Sequence, residues 1–347
     1  MWPSRPNRRH EKIILLTLHQ RVIGLLLAAL LQFFLFGYFA FFPIMTSSTN
    51  IAVDDEPPED LSSVYKEIAS RALSVENWPD TTTYNKLLRR DALGVFQIPS
   101  FPVSEAPLAV VTLLDQNPAA RQIIRECDEV FELFLNDLQN ILPSTGWIGR
   151  NVWRSIQGTH HITIAVFQEN PSLLINAEDR KRCRTVPEDV AEELFSQLST
   201  RQLRHANLVA PILQLDSLVI TGDGVMIAGF VEQSRNSFRA IRNSCLQIAG
   251  TILGELTSRP KKLIHVTVGR VLELPRDTNQ TQQIAVNQLV REYNSQILPE
   301  KVAIIKSSLP NKATFALTEV TMIRDVVWML RKIKTYGSWR FPLPADD

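Results

Sequence analysis

Cysteine is scarce in this chain of 347 residues. Cys127, Cys183 and Cys245 lie far apart with no Cys-x-x-Cys pair, which excludes a zinc cage, a thioredoxin-like motif and a disulfide-dense scaffold. At most one disulfide could form. Net charge is also missing: 37 Lys and Arg against 36 Asp and Glu leave +1, so nothing draws the whole molecule toward nucleic acid or an anionic surface. Any polyanion must be met by a local patch. No Asp-x-Asp motif follows the N-terminal region, which ranks a metal-dependent, sugar-nucleotide-using transferase of the Golgi last among the readings. With 45% hydrophobic and 21% charged residues, what remains is an ordinary globular chain with room for one large or two modest domains.

Charge is absent locally in one place that matters. Val22 to Phe42, VIGLLLAALLQFFLFGYFAFF, carries no charged residue and only Gln32 is strongly polar, and its length matches a bilayer core of about 30 Å. Arg5, Arg8, Arg9, Lys12 and Arg21 precede it, and Asp54, Asp55, Glu56, Glu59 and Asp60 follow. The positive-inside rule then keeps a basic cytosolic tail, residues 1–21, on the near side and sends the rest across. A cleaved signal would have a shorter apolar region ending in small residues, so residues 22–43 read as an uncleaved signal anchor in contact with the lipid bilayer. The expectation is a single-pass type II membrane protein of the secretory pathway, in the endoplasmic reticulum or Golgi, with its main domain lumenal or extracellular.

Residues 44–105 read as a stem, with an acidic Pro-containing run, further prolines at Pro79, Pro99 and Pro102, and one short helical pattern over Leu61 to Leu73. From Leu108 onward strand-length apolar runs alternate with helical patterns. Strands are expected at Leu108–Leu114, His161–Phe167, Leu215–Ile220, Val225–Val231, Leu263–Val271, near Val302–Lys306 and at Ala313–Ile323. Helices are expected at Ala119–Leu142, Pro187–Leu208, Ser237–Glu255 and Gln280–Ile297. The order suggests a duplicated half within a domain of residues 106–340, followed by a tail at 341–347.

Two tetrapeptides stand out, His161-Ile162-Thr163-Ile164 and His265-Val266-Thr267-Val268. In a strand, residues i and i+2 share a face, so each motif presents a histidine and a threonine together while its apolar residues serve the core. With six histidines, chance gives roughly one His-x-Ser/Thr per chain, but two with apolar residues at both x positions is an outcome of only a few in a hundred. Two imidazoles and two hydroxyls suit a phosphodiester. One imidazole takes a proton from the nucleophile, the other gives one to the leaving oxygen, and the hydroxyls hold the non-bridging oxygens. This scheme requires no metal and no other cofactor.

From Leu108 to Trp339 the chain resembles the two-histidine phosphoesterase superfamily, the LigT-like and cyclic phosphodiesterase proteins, in both motifs and in the order of elements. The resemblance implies an α+β fold of two pseudo-symmetric lobes, each a mostly antiparallel sheet with helices on its outer face, about a central cleft; the transmembrane helix would be additional. It implies that the hairpin around Gly222 and Gly224 with Phe230 links the lobes, and that Phe315 to Trp328 forms the last strand. It also implies a phosphoric diester hydrolase acting without metal on cyclic, 2′,3′-type, or linear nucleotide or RNA-end phosphodiesters. His161 and His265 would be general acid and base, and Thr163 and Thr267 would bind phosphate. Arg270 and Phe230 are further candidate substrate contacts. The alternative is a non-catalytic nucleotide-binding or anchoring module of the same fold. A monomer is expected.

Other features read more plainly. His160 points away from His161 as a polar strand-end residue, His205 belongs to a solvated helix face with Arg201 and Arg204, and Arg180 to Arg184 form a solvated loop run. Asn279-Gln280-Thr281 is a glycosylation sequon, usable only in a lumenal domain.

Overall fold

In this computed structural model the described residues are 60–80, 89–90, 96–97, 102–155, 158–169, 185–204, 208–233, 237–254, 263–325 and 332–343. The expected anchor at 22–43, Cys183, His205 and the basic run 180–184 lie outside them. Among the described residues no helix is long and apolar enough to cross a membrane.

The described body is α+β, with two antiparallel sheets and helices packed against them. Its strands in chain order are β1 (Arg89–Arg90), β2 (Phe96–Gln97), β3 (Leu108–Leu113), β4 (Val152–Arg154), β5 (His161–Gln168), β6 (Ile212–Ile220), β7 (Val225–Glu232), β8 (His265–Val271), β9 (Thr314–Ala316), β10 (Glu319–Asp325) and β11 (Lys332–Arg340). Its helices are α1 (Leu61–Leu73), α2 (Pro118–Ile141), α3 (Trp147–Asn151), α4 (Glu188–Arg204), α5 (Ser237–Leu253), α6 (Gln280–Glu292) and α7 (Leu298–Ser308). One sheet runs β11-β10-β3-β5 and the other β4-β8-β7-β6-β9, while β1 and β2 pair separately. Each tetrapeptide opens one strand, β5 in the first sheet and β8 in the second.

The chain is more interlaced than a simple duplication. Strand β4, from the first half of the domain, pairs with β8, and β10 from the last segment inserts beside β3. The single strand expected over Ala313–Ile323 is two strands in different sheets: Thr314–Ala316 pairs with β6, beside which the Leu317 N–H bonds the Pro211 carbonyl at 2.8 Å, and Glu319–Asp325 pairs with β3. The strand expected near Val302–Lys306 is helix α7. Pro299 sits in its first turn, and Leu298, Val302 and Ile305 are buried at helical spacing while Ile304 faces solvent. Between α6 and α7 a π-type turn, Tyr293–Ile297, carries Asn294 inward. There the amide accepts from the Ile220 N–H at 2.9 Å and donates to its carbonyl at 2.8 Å.

Helix α2 starts on the side chain of Asn117, which accepts from the N–H groups of Ala119 and Ala120. Its buried stripe includes Ile123, Cys127, Phe131, Phe134 and Leu138. Phe131 packs so close to Gly269 of β8 that any side chain there would overlap the ring, fixing the distance of helix to sheet.

Helix α1, expected within a stem, is built into this body. Leu61, Tyr65 and Ala72 are buried on one face, and the turn that follows inserts Trp78, whose indole N–H donates to the Thr221 carbonyl at 2.9 Å. The Trp78 ring meets Phe134 edge-on at 5.8 Å between centroids.

Candidate active site

Along β5 and β8 the burial alternates as the tetrapeptides require. His161, Thr163, His265 and Thr267 are half-buried, while Ile162, Ile164, Val266 and Val268 are fully enclosed. The apolar residues anchor each strand to the core, and that anchoring aims the polar pair. The two strands belong to different sheets, yet their Cα atoms come within 8 Å.

The approach to His161 is set by main-chain contacts. Leu113 of β3 lies opposite it, and the Leu114 N–H donates to the carbonyl of His160 at 3.0 Å. Nδ1 of His161 lies 2.9 Å from the carbonyl of Thr159. A carbonyl only accepts, so in the neutral ring the proton is on Nδ1 and the lone pair on Nε2. Just before it, one Asp115 carboxylate oxygen accepts from the N–H groups of Gly158 at 2.9 Å and His160 at 3.3 Å, closing the loop that delivers the strand.

His160, at the end of the strand as expected, is also buried. Only 3% exposed, its ring lies between two carboxylates, with Nδ1 3.5 Å from Asp115 and Nε2 3.5 Å from Asp128 of α2. Burial pushes its pKa down, but the hydrogen bond and charge of Asp128, followed by Asp115, outweigh this, and the net displacement is upward.

The second motif is gripped on both sides. Ser155 donates its hydroxyl to the Thr267 carbonyl at 2.8 Å and its N–H to the Val268 carbonyl at 3.1 Å. Immediately upstream, Tyr65 of α1 donates to the Ile264 carbonyl at 2.6 Å and accepts from the Phe230 N–H at 3.2 Å. Arg242 of α5 reaches two strands at once. Its Nε donates to the Ile164 carbonyl, the last residue of the first tetrapeptide, at 2.9 Å, and a terminal nitrogen donates to the Leu263 carbonyl at 3.1 Å.

A bulge changes the reading of Arg270. Thr267 pairs with Ile227 and Gly269 with Met226, so Val268 is an extra residue on β8. Arg270, opposite Val225, is thereby returned to the face that carries His265 and Thr267, although three residues past Thr267 in a regular strand would point away. Its side chain is largely buried on that face. Phe230, expected beside the substrate, is instead fully buried, packing edge-on against Phe315 at 5.4 Å between ring centroids. It is a core residue.

Asn279 is exposed at the N-terminus of α6, where its side-chain oxygen accepts from the Gln282 N–H at 3.0 Å. Cys127 and Cys245 are buried thiols in no disulfide, and burial raises both pKa values, that of Cys245 to about 12. Among the described residues no group of three His, Cys, Asp or Glu side chains is placed to hold a metal ion. Tyr65, Arg242, Ser155 and Asp115 were not singled out by sequence. Two of them left a signal there, since Tyr65 and Arg242 interrupt the apolar stripes of their helices with a polar side chain.

No protein-family model matches the chain, and no curated protein matches it significantly. Solved structures similar to it include a phosphoesterase (14% identity over 68% of this chain and 99% of that one, TM-score 0.35). Another is E. coli LigT complexed with NADP+, at 13% identity over 68% and 98% with a TM-score of 0.34. A third is Usb1 of Kluyveromyces marxianus, at 13% identity over 70% and 100% with a TM-score of 0.38. These are distant likenesses.

Proposed function

We propose that the chain is a phosphodiesterase that cleaves cyclic, 2′,3′-type, or linear nucleotide or RNA-end phosphodiesters, with His161 and His265 as its acid–base pair. The observation that carries this reading is the matched alternation on β5 and β8, where two His-x-Thr pairs are half-exposed on strands otherwise committed to the core. A neutral imidazole takes the proton of the attacking water as the oxygen bonds to phosphorus, and for His161 that proton goes to Nε2. The other imidazole, protonated, gives its proton to the leaving ribose oxygen as its bond to phosphorus breaks. Thr163 and Thr267 donate hydroxyls to the non-bridging oxygens, where negative charge is held through the transition state. Arg270 shares the His265 face and adds a fixed positive charge to it.

The test is hydrolysis of 2′,3′-cyclic AMP by the purified full chain in the presence of a metal chelator. His161→Ala and His265→Ala should each lower kcat by at least about 10²-fold, the usual worth of a general acid or base. Full activity in either variant would sink the proposal. Nucleotide binding without turnover of any cyclic or linear phosphodiester would assign the cleft to a non-catalytic module instead.

We also propose that residues 22–43 anchor the chain as a type II membrane protein with this domain lumenal. The chain expressed in a secretory cell should then shift in mobility on glycosidase treatment, and Asn279→Gln should abolish the shift. A chain that never acquires a glycan at the exposed Asn279 argues for the opposite topology.

A further inference from the structure

The two motif strands lie in different sheets, so nothing in either hydrogen-bond ladder fixes where one histidine stands relative to the other. We infer that Tyr65 and Arg242 form a main-chain clamp on Leu263 and Ile264 that sets the position of His265 relative to His161; as an account of catalysis this rests on the proposed phosphodiesterase reading.

Arg242 supplies the cross-link. Its guanidinium is enclosed, with the Phe238 ring 4.8 Å from its central carbon, and it donates to the carbonyl of Ile164 on one strand and of Leu263 leading into the other. The planar fork allows the two donors no independent movement, so the carbonyls are held at a fixed spacing. A lysine in its place keeps the charge but lacks this planar fork.

Tyr65 fixes the neighbouring residue. Its hydroxyl joins the Ile264 carbonyl and the Phe230 N–H, which themselves are hydrogen-bonded across the ladder at 2.8 Å. The ring position is equally specific. Gly229 lies directly opposite His265, and residues opposite one another share a face of the sheet. A Cβ on Gly229 would lie 2.5 Å from the Tyr65 ring, so the ring occupies the place beside His265 that a side chain at 229 would otherwise fill. Tyr65 is fully buried, and burial raises its pKa, so the phenol stays neutral and takes no part in proton transfer. Both residues act through the backbone that carries His265. They are positioning residues.

The clamp is tested on the full chain with Tyr65→Phe, which keeps the ring and deletes the hydroxyl, and Arg242→Lys, which keeps the charge and deletes the fork. A displacement of a reacting group by about 1 Å can cost about 10²-fold in rate. For each variant we expect kcat on 2′,3′-cyclic AMP to fall about tenfold or more, KM to stay within about twofold, and the histidine-labelled imidazole resonances of His265 to move. Variants that keep kcat within about twofold and leave the His265 resonances in place overturn the inference. So does a loss of activity that follows only the loss of folded protein, with His265 unshifted in what stays folded. If the parent chain turns over no phosphodiester, the enzymatic reading fails by itself, and the resonances alone decide whether the clamp positions His265.

Discussion

His160 shows how little of a residue's environment its neighbours in sequence reveal. Alternation along the strand separates it from His161, but the two carboxylates that enclose it come from the turn after β3 and from α2, and no local pattern points to them. Its folded pKa is raised, so the stabilisation it contributes is fully present below the ordinary histidine value and is lost as pH rises through the folded one. The melting temperature of His160→Asn should therefore fall furthest below wild type near pH 5.5, with the gap narrowing by pH 9. A gap independent of pH would show that the ring does not titrate between its carboxylates. The threonines make a prediction at the same scale. On the proposed reading each threonine is one donor to a developing oxyanion, whose loss costs about 10²–10³-fold in kcat, so Thr163→Ala and Thr267→Ala should fall in that range while Thr→Ser retains most activity. Steady-state kinetics with the cyclic substrate decide it. These residues were legible because period-2 alternation is strictly local. Arg242 was not, although a charge in line with Phe238, Ile241 and Cys245 on the buried stripe of α5 is its mark in the sequence.

At the scale of elements, periodicity succeeded where a segment is long and failed where it is short. Helix α2 and the β6–β7 hairpin lie close to their expected bounds, with Thr221 and Gly224 closing the turn through a hydrogen bond of 3.1 Å. Val302–Lys306 was too short and too apolar for its period to separate strand from helix. Helix α1 was expected as a helix, but its partner was not, because the surface that receives it is built from Gly222, Gly229 and the hairpin, over 150 residues later. Its packing makes residues 61–80 necessary to the body. Trp78→Ala should cost about 3–5 kcal/mol, the usual loss for a large buried aromatic, read as a lower denaturant midpoint. A protein starting after residue 105 should be less stable still, and equal midpoints for the two would contradict this packing.

Over the whole molecule, Arg324 is the side chain on which separated segments converge. Fully buried, it donates to the carbonyls of Ala106 at 3.0 Å and Val186 at 2.5 Å, to the Gln168 side chain at 3.2 Å and to Tyr336 at 2.7 Å, and it lies 3.3 Å from Glu188. Glu188 is in turn paired with Lys334. Arg324→Ala would leave several buried acceptors unmet, and a loss of about 3–5 kcal/mol is expected. Equilibrium unfolding at neutral pH measures it. The alternation Val320, Met322, Arg324 places this cation on a buried face, which the sequence displays, but the segments it gathers could be known only from the assembled sheets.

The strand order of the first sheet has a consequence for synthesis. Strand β3 leaves the ribosome well before β10, its partner on one side, which follows about 200 residues later, so one edge of β3 in the sheet that holds His161 stays unpaired until then. A nascent chain therefore carries both tetrapeptides before the sheet that holds the first is assembled, and on the proposed reading no phosphodiesterase activity is expected from a message truncated before β10.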